Sequence, residues 1–587
     1  MQIVLIFSGS LRKCNQSRCI SLILWSAYLL ADWVATFALG ILSKNQGSPS
    51  GPHIENNNLL VFWAPFLLLH LGGPDTITAF SLEDNELWMR HLLGLMFQVG
   101  VAIYVFIGSL PQTRLKAPAA LMFLAGILKY GERSWALMCA SMDNLRNSMV
   151  TPPDPGPNYA MFMEEYASMF AAGLQAEIDV EKEPETQQRT RSLDTDAKEI
   201  STKEILSNAN RITFFSILSA LLLFLFTKKH GYTDIDVAIT YILLGGALVL
   251  ESYAVGLLVF SEWAFLKLKD LKQYRLSNMI FASISFFRPT NRPRWSDAMA
   301  QHNLISFCLE DQPSTIKSVM DFLSVKEAWD RFHHTTYCHV DEDLKIFIFK
   351  EIKEKSSSAE DSKGYKRFSS CRGEWALQMK GYQDKLGWSV EVEFDESILL
   401  WHIATDLCSY SDGTSQPENK CSDQNISKAE AISDYMLYLL VVRPFMLTAG
   451  IGQIRYGDTC AEAKKFFQQG EAMLDKKQAC DMLLSLEPKV PPIQVKGDRS
   501  KSVLFQACML AKDLLELKVE KRWRIMSAVW VEMLCYTASH CRGYYHAKQL
   551  SAGGELLTLV WFLMAHLGIG EQYRIEGHTR AKLIVEK

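Results

Sequence analysis

Residues 237–260 are apolar almost throughout, with Glu251 set inside them and a basic run beginning at Lys267. As a helix rising about 1.5 Å per residue, such a stretch crosses the roughly 30 Å hydrocarbon layer of a bilayer. It reads as the last membrane span, dividing a membrane domain before it from a large soluble domain after it.

At 587 residues the chain exceeds one compact core, and a prior of roughly 100 to 200 residues per domain implies two or more. The mean hydropathy of +0.01 averages a very apolar first half with a polar second half. A net charge of -4 supplies no basic field, so nucleic acid is not an expected partner. Thirteen cysteines, scattered from Cys14 to Cys541 without short even spacing, read as reduced thiols facing the cytosol rather than a secreted disulfide framework. Sequons at Asn15 and Asn425 would be used only on a lumenal surface.

Further spans are expected near residues 20–42, holding Asp32, and near 91–110, 117–128 and 211–227. The run 59–71 is weaker, being short and interrupted by Pro65; it crosses with help from its neighbours or re-enters. Between spans four and five lies a polar loop, 131–210, with surface helices at 134–149 and 159–178 and a linker-like stretch at 181–203. Cytoplasmic flanks carry the excess of Lys and Arg. Lys267, Lys269, Lys272, Arg275, Arg288, Arg292 and Arg294 make the flank after the last span the most basic, which puts the C-terminal half in the cytosol. Six crossings then keep the N-terminus, with Arg12, Lys13 and Arg18, on the same side, although Arg114 and Lys116 fall on the other.

From Trp295 onward apolar residues recur at spacings of three and four, as in Ile398, Leu399, Ile403 and Leu407, and argue for packed amphipathic helices. Residues 345–349 and 390–394 are strand candidates too isolated to build a sheet, and 356–363 and 409–422 read as loops. Residues 556–567, apolar on nearly all sides, are expected as a helix buried at the centre. The expected fold class is all-α: a transmembrane bundle of about six spans in 1–266, a basic juxtamembrane segment at 267–294, and a helical cytosolic domain over 295–587.

Five stretches, 63–75, 84–91, 294–306, 401–408 and above all 553–570 (Gly-Gly-Glu-Leu-Leu-Thr-Leu-Val-Trp-Phe-Leu-Met-Ala-His-Leu-Gly-Ile-Gly), carry a resemblance. Together they resemble plant multi-pass membrane proteins that pair an N-terminal membrane domain of unknown function with a C-terminal domain of unknown function. The resemblance implies a fold and a further apolar segment upstream, of which residues 1–7 would be the end. It implies no activity.

Asp32 and Glu251 are the sharpest chemical features. A carboxylate at mid-bilayer is unfavourable unless paired, protonated or wetted, so such residues face a bundle interior and mark cation or proton paths, or else tie helices together. The expected ties are Tyr28, Thr36, Ser252 and Tyr253; Gly245, Gly246 and Gly256 would permit close helix approach, and His70 would sit at an interface. His333, His334, Cys338 and His339, and again Cys535, His540, Cys541 and His546, cluster without the two convergent ligand pairs a zinc site needs. His402 and Asp406 lie one helical turn apart, as a base and its orienting carboxylate do, but no nucleophile motif accompanies them. The juxtamembrane Lys and Arg run suits anionic lipid. The expectation is a non-enzymatic membrane anchor or signalling scaffold that contacts lipids and cytosolic proteins and needs no metal or cofactor. A transporter or channel using Asp32 and Glu251 is the alternative, and an enzyme built around His402 or His546 a third.

Overall fold

The computed structural model describes residues 18–45, 62–72, 82–108, 115–141, 176–182, 193–229, 232–259, 295–309, 334–358, 370–415, 420–447, 450–468, 475–486, 502–550, 552–567 and 579–585, together with 4, 5, 8, 9, 11, 15, 163 and 166–168. It is mostly helical and divides into two compact units, Met1–Arg294 with Ile575–Lys587, and Trp295–Arg574.

The first unit contains α1 (Arg18–Asn45), α2 (Ala64–Gly72), α3 (Leu82–Glu86), α4 (Trp88–Gly108), α5 (Lys116–Cys139), strand β1 (Ala176–Lys182), α6 (Leu193–Phe226) and α7 (Asp234–Val259). Among the described residues three helical stretches, Cys19–Leu42, Trp88–Ile107 and Asp234–Gly256, are long and apolar enough to cross a membrane. Helix α5 packs against α2, α4 and α6, and α6 against α7. It starts with Pro118 in its first turn, where a missing N–H costs nothing, and then runs unbroken past residue 128 to Cys139. The expected span at 117–128 and the start of the expected loop are therefore one helix. Gly126 is where α5 meets α2: a Cβ there would stand 2.9 Å from Leu68 Cβ and 3.1 Å from the Pro65 carbonyl oxygen. The glycines expected to permit close packing do not; Gly245, Gly246 and Gly256 have open space where a Cβ would go.

The expected linker is partly ordered, with β1 ending at Lys182 and α6 beginning at Leu193. Strand β1 pairs antiparallel with the C-terminal strand, from Ala176↔Val585 to Lys182↔Thr579. The second domain was expected to run to the C-terminus, but the last strand joins the first unit.

The second unit opens with β2 (Ala298–Gln301), α8 (Leu304–Leu309), β3 (Thr336–His339) and α9 (Glu342–Ser358). Helices α10 (Glu374–Lys380), α11 (Gln383–Leu386), α12 (Phe394–Ser415), α13 (Lys420–Val442), α14 (Gly452–Phe467) and α15 (Lys476–Ser485) follow. Then come α16 (Val503–Leu515), α17 (Val519–His540), α18 (Gly543–Leu550) and α19 (Leu556–His566), and the C-terminal strand of the chain is β4 (Thr579–Val585). Its core forms where α12 packs on α13 and α16, and α17 on α13 and α19. Trp401, Tyr435, Trp523 and Trp530 are fully buried there.

Strands occur where none was expected: β2 and β3 form an antiparallel pair, Ala298↔His339 to Gln301↔Thr336, lying against α13. The strand candidate at 345–349 belongs to α9, because burial of Leu344, Ile348 and Ile352 follows helical spacing while Ile346 and Phe349 stay exposed. The loop expected from 409 is helical to Ser415. Helix α19 is not buried all round: Leu556, Leu557, Val560 and Met564 face the core, and Leu559 and Phe562 face outward.

Candidate functional site

In the first unit α5 gathers the charges. Helical spacing of four puts Lys129 and Arg133 one turn apart on one face, and both are buried. The Lys129 ammonium donates to Glu251 Oε1 on α7 at 3.3 Å and to Asn210 Oδ1 on α6 at 3.0 Å, with Glu132 Oε2 at 3.8 Å. The Arg133 guanidinium spans both oxygens of Asp32 on α1, each at 3.2 Å, and donates to the Tyr28 hydroxyl at 3.0 Å. Tyr28 in turn donates to Asp84 on α3 at 2.7 Å. One helix thus supplies the cations for both carboxylates.

The expected ties are mostly different ones. Thr36 donates to the backbone oxygen of Asp32 rather than to its carboxylate, and Ser252 to the Leu248 carbonyl of its own helix. Tyr28 joins the Asp32 network through Arg133. Lys129 and Arg133 were readable in sequence only as residues closing a span. Side chains of Lys267, Lys269, Lys272, Arg275, Arg288, Arg292 and Arg294 lie outside the described residues, as does that of His70.

In the second unit His402 is fully buried on α12. Its Nε2 accepts the Leu304 backbone N–H at 3.2 Å, so that nitrogen is the unprotonated one and Nδ1–H points to Ser433 Oγ at 2.9 Å. A histidine protonated toward a serine does not take the serine's proton, so this pair lacks the polarity of a nucleophile and its base. Burial pushes His402 down to about 4, with Lys476 opposing its protonation and Asp406 favouring it. Asp406 is instead joined to Asp434 through Asn303, whose amide donates to both at 2.8 and 3.2 Å.

His546 is likewise a packed residue. Its Nε2 faces the Ala538 carbonyl and its Nδ1 the Thr558 hydroxyl, both at 3.1 Å, and its ring stacks on Trp561. His540 bonds to Tyr536 of its own helix. His540, Cys541 and His546 therefore point to separate partners.

One possible donor set had no sequence signal. Ligand atoms of Cys371, Glu374 and Glu532 all lie within 4.8 Å of one another. Glu532 is fully buried on α17, and its carboxylate is already filled: Oε1 accepts the N–H groups of Gly373 and Trp375 at 2.8 and 3.1 Å, and Oε2 that of Ala376 at 2.8 Å and the Lys355 ammonium at 3.3 Å. A helix N-terminus, an ammonium and the nearby Arg372 guanidinium, 3.8 Å from Glu374, make the surroundings positive. The chemistry fits a carboxylate capping α10 and not a cation.

Residues 25–211 and 202–308 match the family described as Domain of unknown function (DUF4220), and residues 516–569 match Protein of unknown function, DUF594. The matches fit the pairing of N-terminal and C-terminal domains of unknown function that the sequence resembles. No curated protein and no solved structure matches the chain.

Proposed function

We propose that the chain is a plant multi-pass integral membrane protein, an anchor or signalling scaffold whose second unit faces the cytosol and binds other proteins. The observation that carries this reading is the pairing of Asp32 and Glu251 with cations from α5. Charges that compensate one another inside a helix bundle act as ties, and a tie needs no transported ion. The same pairing offsets the burial of Lys129 and Arg133 in α5 and so supports a crossing by that helix in addition to the three long apolar ones. In that arrangement the juxtamembrane basic run would meet anionic lipid.

Cross-linking of the tagged full chain in its native membrane, read by mass spectrometry, tests the reading. Links from residues 295–574 to a defined set of other proteins are expected; no such link, together with a cation flux that is lost in Glu251→Gln, would overturn it. Protease accessibility in sealed vesicles should find those residues on the cytosolic side, and a glycan on Asn425 would contradict that orientation.

A second reading, a transporter or channel, is favoured by one observation. Around Lys129 two carboxylates from different helices, Glu132 and Glu251, approach the same ammonium at 3.8 and 3.3 Å, a clustering of carboxylates that a cation path would also use. Flux in proteoliposomes separates the two readings.

A further inference from the structure

Two reduced thiols meet where α8 packs on α14 in the second unit. Cys308 is 8% and Cys460 5% exposed, buried from large reagents but not sealed from a small neutral one. The Cys308 thiol donates to the Cys460 backbone oxygen at 3.8 Å and lies within hydrogen-bond reach of the Cys460 thiol. Helical spacing of four puts Tyr456 and Lys464 on the same face of α14, one turn before and one turn after Cys460.

The protons along this face run in one direction. His302 Nδ1 faces the His334 carbonyl oxygen at 3.3 Å and carries the ring proton there, which leaves Nε2 to accept. Tyr456 therefore donates its hydroxyl proton to Nε2 at 2.7 Å, and the phenol oxygen stays open to the Cys460 thiol, with which it is also hydrogen-bonded. A thiol, a phenol and an imidazole oriented by a third group form the arrangement that activates a nucleophile, the reverse of the polarity between His402 and Ser433. Burial raises the Cys460 thiol, but its bonds with Cys308 and Tyr456 and the Lys464 charge outweigh that and hold it below the ordinary thiol range. The bond to Cys460 and burial push Cys308 up, so it remains a thiol.

We propose that Cys460 and Cys308 form an oxidation site for hydroperoxides, which closes to a reversible disulfide between α14 and α8. Cys460 passes its proton to Tyr456 as Tyr456 passes its own to His302, and the thiolate attacks one peroxide oxygen. The O–O bond breaks, Cys460 becomes a sulfenic acid, and the leaving hydroxide takes the proton held on His302 and departs as water. The Cys308 sulfur then attacks the Cys460 sulfur; the S–S bond forms, the S–O bond breaks, and the hydroxide leaves as a second water with the Cys308 proton. The two sulfurs lose two electrons and the peroxide gains them. The site belongs to the second unit alone and goes beyond the anchoring role.

The test uses the full chain in lipid nanodiscs, treated with hydrogen peroxide, unfolded, blocked with iodoacetamide, digested and read by mass spectrometry. A peptide pair joining Cys308 to Cys460 is expected, lighter by two hydrogens than the separate peptides and released by dithiothreitol. In Cys308→Ser the reaction should stop at the Cys460 sulfenic acid, which dimedone traps. In Tyr456→Phe, which keeps the ring and removes the relay, loss of the Cys460 thiol should slow by about a hundredfold. Both thiols still alkylated after peroxide treatment of the unaltered chain would overturn the proposal, whether or not any variant folds. So would Cys308 oxidised as fast in Cys460→Ser as in the parent, or a rate unchanged in Tyr456→Phe.

Discussion

Glu555 stands at the start of α19 inside the Gly-Gly-Glu sequence, and it is buried with its Oε2 3.1 Å from the Tyr435 hydroxyl. Burial raises it from 4.5 to about 7, against the lowering effects of Arg443 and Tyr435. The folded chain therefore holds this proton more tightly than the unfolded one, so the contribution is complete below pH 4.5 and fades as pH rises through about 7. The difference across that window is on the order of 3 kcal/mol. Glu555→Gln should remove it: in denaturant unfolding the variant gains on the parent as pH rises from 4.5 to 8, and parallel curves would contradict the assignment. Beside it, Gly554 has a φ of 80°, and a Cβ there would lie 2.8 Å from Trp295 Cβ. Gly554→Ala should lose about 1 to 2 kcal/mol from the left-handed backbone alone, and more from the contact. Unchanged unfolding would show that Trp295 yields. This motif was readable as specific from sequence, but its reason was not, because Trp295 and Tyr435 are far from it along the chain. The same holds for Asp32 and Glu251: a charge in an apolar run is visible locally, and its partner is not.

Helix α10 has no side-chain cap of its own, since Gly373 precedes it, and α17 supplies one through Glu532. Removing that carboxylate leaves three backbone donors and the Lys355 ammonium buried without it. Glu532→Ala should destabilise the chain by about 3 to 5 kcal/mol in denaturant unfolding; a loss under about 1 kcal/mol, the size of an ordinary hydrogen bond, would contradict the capping role. At this scale the legible elements were those whose burial follows one period. In α12, Ile398, Leu399, Ile403 and Leu407 were readable as a core face and are all fully buried. Helix α5 was cut short because hydropathy scores Lys129, Glu132 and Arg133 as if each faced water alone. Residues 345–349 read as strand because Lys-Ile-Phe-Ile-Phe is a short run of β-branched and aromatic residues, which periodicity alone does not separate from a helix segment. Strands β2 and β3 were missed because they are four residues each, too short for any pattern.

At the scale of the whole molecule the chain is two units: in the first, charges pair between helices, and the second is a helical body with its own core. We propose that Glu251 and Asp32 bind helices rather than ions. A double-mutant cycle on Lys129 and Glu251, with unfolding and cation flux measured on the same reconstituted full-length preparations, tests it most directly. Lys129→Met and Glu251→Gln should each cost about 3 kcal/mol or more, the double variant should cost clearly less than their sum, and neither should change flux. Additive costs, or intact stability with flux abolished by Glu251→Gln, would contradict the account.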